Sequence, residues 1–265
     1  MHCSRTLTPR KAAVLAAALT MALAAPVAQA DQPATLEVGV HHSDLTGPYG
    51  DWRGAFARVT LPAANGATYL EAVRRSEFND VGMLLSAGRV QDINADWGVS
   101  GFVSGSPDGG FWPHFRWDVG VSRKVLADRS LVLGALYSHS INRQNYRDDA
   151  ILLSTTWYGL PSWVLEQGLR FTVSQPGSVS GQRWYGVATW SQPKVREFSA
   201  RLESGTEGWQ ALGEQAFDVG FSSTLLGLSW TEWLTSAQGV KASVEHYSSP
   251  NYHRTGLDLS VFTQF

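Results

Sequence analysis

Beyond its first thirty residues the sequence has no cysteine, the single one being Cys3. An exported chain without disulfides must be held by a core or by a sheet that closes on itself. Long apolar runs are missing too. Ala12 to Ala25 is rich in Ala and Leu but too short for a membrane helix, which needs about 20 apolar residues, and nothing after residue 30 reaches that length. Basic clusters are absent as well. The 21 Lys and Arg face 23 Asp and Glu, and Arg5, Arg10 and Lys11 fall within the first thirty residues, so the remainder is acidic. That excludes nucleic-acid binding, which needs a positive excess to neutralise phosphates. Helical periodicity is hardly visible past residue 30, which excludes helical bundles. With no internal repeat, low-complexity tract or linker, residues 31–265 read as one domain.

The ends carry the first positive signals. Arg5, Arg10 and Lys11, the apolar stretch and Ala28-Gln29-Ala30 have the form of a secretory signal peptide cleaved after Ala30. Cys3 precedes the apolar stretch, so it is not the lipid-bearing residue of a lipoprotein. At the other end, odd positions from His253 read His, Thr, Leu, Leu, Val, Thr and Phe265, while the even ones are polar or glycine apart from Phe262. A strand ending on Phe resembles the C-terminal signal by which outer-membrane barrels are recognised by their assembly machinery.

The same two-residue period recurs upstream, in 115–124, 163–173, 197–203 and 240–247, each with apolar residues facing charged or small ones. Charges on alternate positions are cheap facing a wet lumen and costly facing lipid. Eleven Trp and eight Tyr cluster near strand ends, where an apolar ring with a polar tip suits the membrane–water interface. These patterns predict an all-β fold, a transmembrane antiparallel β-barrel of about fourteen strands. The segments lie near 35–43, 51–62, 67–76, 79–90, 94–104, 111–127, 129–141, 147–160, 162–175, 181–192, 196–205, 223–235, 238–249 and 252–265. Those around 67–76 and 223–235 are the weakest, and losing one hairpin leaves twelve strands. Short periplasmic turns are expected at 62–66, 90–93, 126–129, 160–162, 192–195 and 235–238. Longer connections on the other side are expected at 44–50, 104–110, 142–146, 176–180 and, longest, 204–222.

Leu36 to Pro62, with a Gly-aromatic loop ending in Asp51-Trp52, resembles the first hairpin of the YaiO family of outer-membrane β-barrels. Tyr252 to Phe265, with Tyr252-x-Arg254-x-Gly256, resembles that family's last strand. The resemblance implies a monomeric barrel in the outer membrane of a Gram-negative cell and no established activity. Some relatives carry helical repeats ahead of the barrel or lie near polysaccharide-making enzymes, which suggests glycan export at the level of the family. The stretch between Asp31 and the first strand has no room for such repeats, which weakens the reading of a complete secretion device.

Three functions fit. The first is a passive, porin-like conduit for small polar solutes or oligosaccharide. Its lumen would be lined by Glu37, His41, Arg116, Asp118, Lys124, Glu166, Arg170, Glu197, Arg201, Glu203, Lys241, Glu245, Arg254 and Asp258. Both signs are interspersed, which speaks against strong ion selectivity. Opposite charges pairing across the lumen would instead give a filled structural barrel. The second is a lipid-modifying enzyme, which needs a Ser activated by an oriented His. His41-x-Ser43 puts both on one strand face. In Ser138-His139-Ser140, by contrast, the position two after the His is Ile141, and Ser140 points away from His139. A His–Ser pair at a strand end is more often a hydrogen-bonded lumen pair, so the expectation is no enzyme. The third is surface interaction through 204–222, where Trp209 and Phe217 would gate the lumen or project outward. His41-His42 face opposite sides, and His246 with His253 lack a carboxylate or Cys pattern, so neither metal nor cofactor is expected. The expected partners are outer-membrane lipid, the assembly machinery acting on the strand that ends at Phe265, and a saccharide solute.

Overall fold

A computed structural model describes residues 32–143, 146–211 and 217–265. The proposed signal peptide lies outside the described residues. Fourteen strands follow in chain order: β1 (Thr35–Leu45), β2 (Trp52–Ala63), β3 (Gly66–Glu77), β4 (Asp80–Asp92), β5 (Trp97–Gly105), β6 (Phe115–Val125), β7 (Leu131–Ile141), β8 (Arg147–Leu160), β9 (Trp163–Gln175), β10 (Val179–Gln192), β11 (Arg196–Ala211), β12 (Phe217–Trp233), β13 (Gln238–Ser248) and β14 (His253–Gln264). Each pairs antiparallel with its sequence neighbours, and β1 pairs with β14, so the sheet closes. Ala34 and Phe265 complete that seam by donating to each other's carbonyl, both at 2.9 Å. Closure matters because an open edge in hydrocarbon would leave backbone groups unpaired at several kcal/mol each.

Alternation explains the wall. In β14, Leu257, Leu259 and Val261 are exposed outward, while Gly256, Asp258, Ser260 and Phe262 turn inward. Phe262 is the apolar exception on this inner face, and its ring covers Gly239, its cross-strand partner. Three further inward pairs repeat the device: Phe56 over Gly39, Phe102 over Gly88 and Tyr185 over Gly168. A ring laid on a glycine restores the packing that the missing side chain forfeits.

Both weak segments are strands, so the barrel has fourteen strands rather than twelve. The turns at the end that holds both termini are short, as at 64–65, 126–130 and 161–162. Two connections at the far end differ from expectation. The stretch 204–222 is mostly wall: β11 and β12 pair in register out to Ala211 and Phe217, leaving only 212–216 between them, outside the described residues. Gly205, Gly208 and Gly220 interrupt the apolar pattern there without ending the strands. The β5–β6 connection, by contrast, runs longer than expected, from 106 to 114. It folds against the mouth, with Arg143 donating to the carbonyls of Pro107 (3.1 Å) and Gly109 (3.3 Å).

Candidate functional site: a divided lumen

The lumen has two unlike sides. Beside the β1–β14 seam, Glu37 is buried and accepts hydrogen bonds from Lys241 and Ser260, each at 2.8 Å. Arg58 lies 3.7 Å from the same carboxylate and donates to Glu71 at 2.6 Å. Nearer the far end, His41 and Ser43 occupy the same inner face two residues apart. The Ser43 hydroxyl and His41 Nε2 are 2.9 Å apart, and His41 Nδ1 lies 2.7 Å from Asp258 Oδ1. Asp258 is the cross-strand partner of His41 in β14. A carboxylate only accepts, so Nδ1 carries a proton, and in the neutral imidazole Nε2 then accepts from the serine. Ser243 donates to the other Asp258 oxygen at 3.2 Å. Ser43 is 0 % exposed and His41 5 %.

An aromatic plug closes this side. Trp52, Phe78, Tyr247 and Tyr252 are buried together, with Leu45, Tyr49, Phe111 and Leu225 packed on them. Trp52 and Phe78 meet edge to face at 4.9 Å, and Tyr49 meets Phe78 at 5.5 Å. Phe78 and Asn79 form the β3–β4 turn with φ of 52° and 61°, a conformation unusual for Phe and held here by burial in the plug. Arg254 pairs with Glu245 and lays its guanidinium 4.5 Å from the Trp52 ring. Among the described residues, the Nε groups of Arg75 and Arg254 and the indole N–H of Trp52 are buried without a hydrogen-bond partner. Tyr252 lies in the β13–β14 connection, and burial pushes its phenol up to about 12.

The opposite side, β6 to β12, is charged, with cavities left between its ion pairs. Arg116 donates to Asp118 at 2.6 Å, and Tyr185 to Glu166 at 2.6 Å. Arg183 reaches Glu203 at 2.9 Å and Ser223 at 2.7 Å, and it also pairs with Glu207. Arg201 shares Glu203. Two polar cavities remain between these groups, of about 210 Å³ and about 310 Å³, both lined by Arg170 and Arg183. Lys124 pairs with Asp92 at 2.8 Å beside the terminal-end turns, and Glu197 is exposed at the start of β11.

Sequence reasoning missed Arg58, Arg183 and Glu207 on the inner face. Arg183 and Tyr185 alternate against Trp184 and Gly186, a pattern that was readable. Glu207 was hidden in the stretch read as a loop. Trp209 lies on β11 and packs on Tyr146 at 4.6 Å. His139 pairs with Asp149 at 2.8 Å, whereas Ser140 donates to Asp148, so these two do not meet. The His246 and His253 rings lie parallel at 6.3 Å. On the outer rim, His42, Asp44 and Asp51 place one ligand atom each within 4.8 Å of one another, all exposed.

A closed antiparallel barrel with an apolar outer belt and a polar interior is an outer-membrane β-barrel. The chain belongs to the family of the YaiO membrane beta barrel domain, whose model matches residues 33–210. Among curated proteins none matches the chain. Among solved structures it is similar to the CymD monoaromatic hydrocarbon channel (TM-score 0.61, 7 % identity, 92 % of each chain covered). It is also similar to a bacterial polysaccharide outer membrane secretin (0.56, 10 %, 89 % of this chain and 100 % of that one). A third is the COG4313 outer membrane channel from Pseudomonas putida F1 (0.54, 8 %, 91 % and 98 %). At these identities the likeness is one of fold.

Proposed function

We propose that the barrel is a passive conduit for small polar solutes or oligosaccharide, its path running along the β6–β12 side. The observation that carries this reading is the pair of polar cavities sharing Arg170 and Arg183, opposite a side that is plugged. Cations and carboxylates in alternation suit a hydroxyl-rich, weakly charged solute, and Tyr185 and Trp209 add aromatic surface to the cavity walls. The reading includes export behind a signal peptide cleaved after Ala30, assembly through the strand ending at Phe265, and a monomer in a Gram-negative outer membrane. A second reading, a filled structural barrel, is favoured by the extent of ion pairing on this same side.

Single-channel current in a planar bilayer separates the two. The conduit gives discrete steps that added oligosaccharide reshapes, and Arg170→Glu shifts the anion-to-cation preference. Silence from protein whose folding is verified by circular dichroism sinks the conduit and leaves the filled barrel.

A further inference from the structure

His41, Ser43 and Asp258, joined across the β1–β14 seam, line neither of the cavities on which the proposed conduit rests. We propose that these three residues form a nucleophilic acyl-transfer site beneath the aromatic plug, acting on carboxylic esters with an apolar acyl group. Ser43 is the nucleophile, His41 the general base and Asp258 the group that fixes the imidazole tautomer. The distances of 2.9 Å and 2.7 Å are those the chemistry needs, and they run in the required order from hydroxyl to Nε2 and from Nδ1 to carboxylate. This differs from an ordinary buried hydrogen-bond trio in what surrounds it.

Two observations independent of the trio point to a ligand. The first is the set of unpartnered buried donors: the indole N–H of Trp52 and the Nε–H groups of Arg75 and Arg254. Trp52 is only 3 % exposed and is the cross-strand partner of Ser43, and Arg254 stacks on Trp52. Arg75 faces Gly54, two residues along β2 from Trp52. Buried donors without acceptors are the kind of group that stabilises an oxyanion. The second is the apolar plug itself: Phe78, Tyr247 and Leu225 pack together above the trio and present apolar surface to an acyl chain once the plug parts. Opposite Ser43 stands Gly256, where an added Cβ would come within 2.7 Å of the Ser43 hydroxyl oxygen.

The reaction balances without a cofactor. Ser43 Oγ bonds to the ester carbonyl carbon as its proton passes to His41 Nε2. The tetrahedral adduct collapses with cleavage of the ester C–O bond, and the departing alkoxide takes that proton as an alcohol. Water then attacks acyl-Ser43, giving a proton to His41, and the carboxylic acid leaves as the Ser43 hydroxyl is restored. Because Ser43 is fully buried, the ester enters only when the 46–51 connection, which carries Tyr49 onto the plug, swings aside.

The test is covalent labelling of the purified, folded protein in detergent with an alkyl fluorophosphonate, read by peptide mass, on wild type and on Tyr49→Ala, which frees the 46–51 connection from the plug and keeps every proposed donor. The expected result is an adduct on Ser43, faster in Tyr49→Ala. Its rate should fall by roughly a hundredfold or more in His41→Gln and by a smaller factor in Asp258→Asn. Labelling confined to Tyr49→Ala and lost with His41→Gln also supports the site, with the plug as its gate. No adduct on Ser43 in either folded background overturns the proposal, as does labelling indifferent to His41. The trio is then a hydrogen-bonded staple of the seam, and its variants change only the melting temperature.

Discussion

The two sides of the lumen solve the same problem with different chemistry. At the far end of the β1–β14 seam the interior is filled by buried aromatic rings, with the Arg254–Glu245 pair against them, and Ser43 and His41 are buried beneath. Across the barrel the interior is filled by ions in pairs, and cavities persist between them. Apolar packing is non-directional and closes gaps, whereas ion pairs demand fixed distances and leave room for solvent. A lumen with an aromatic plug on one side and a charged lattice on the other therefore buries one set of polar groups and leaves cavities beside the other, the two meeting where Tyr247 donates to Glu207.

Removing a plug ring should have the largest effect. Trp52→Ala deletes the largest of these side chains, with contacts to Phe78, Tyr252 and Arg254. Truncating a buried Trp costs about 3–5 kcal/mol, so thermal or denaturant unfolding should shift strongly and conductance should rise. Arg170→Ala on the wet side is the matched contrast. It should change ion preference with a much smaller loss of stability. Equal stability losses from the two substitutions would erase the distinction between the sides.

The wall offers a sharper test within one strand pair. At Gly88 an added Cβ would come within 1.9 Å of the Phe102 ring, whereas at Gly101 nothing lies within 4 Å. Gly88→Ala must therefore displace the ring, at about 1–3 kcal/mol for overpacking, and Gly101→Ala should be nearly neutral. Urea unfolding of the two variants in lipid vesicles measures the difference directly. A neutral Gly88→Ala would show that the ring is not seated on the glycine.

Much of this was legible in the sequence, and the reasons are local. The period of two in 253–265 and 163–173 decides which face meets lipid, because a polar side chain facing hydrocarbon is expensive. Glu37, Arg116, Arg201 and Glu245 follow from that rule alone. What was not legible depends on register between distant strands. His41 and Ser43 could be paired from their spacing, but Asp258 meets them only because β1 and β14 close with His41 opposite it, across 217 positions of sequence. Glu207 was lost because Gly205 and Gly208 read as loop punctuation in a strand that continues. The fold of 106–114 against the mouth depends on Arg143, which no local pattern connects to Pro107.

The smallest expected effect lies in the plug's response to alkali. Tyr252 is buried beside Trp52 and Tyr247, and desolvation is the main cause of its raised pKa, with Glu207 and Glu77 adding to it. The Gln210 amide, which donates to the phenol oxygen, and the Arg254 charge work in the opposite direction. The folded protein thus holds this proton to about 12, while an unfolded tyrosine releases it near pH 10. Folding is favoured fully below about pH 10, and this contribution fades as pH rises toward 12. Ultraviolet titration should show a phenol resisting ionisation until about pH 12 in wild type and absent in Tyr252→Phe. Conductance carried by the β6–β12 side should follow that titration only weakly, because Tyr252 lines neither cavity and the plug meets them through the Tyr247 hydroxyl on Glu207. A current that rises with Tyr252 ionisation would instead mean that the path runs through the plug.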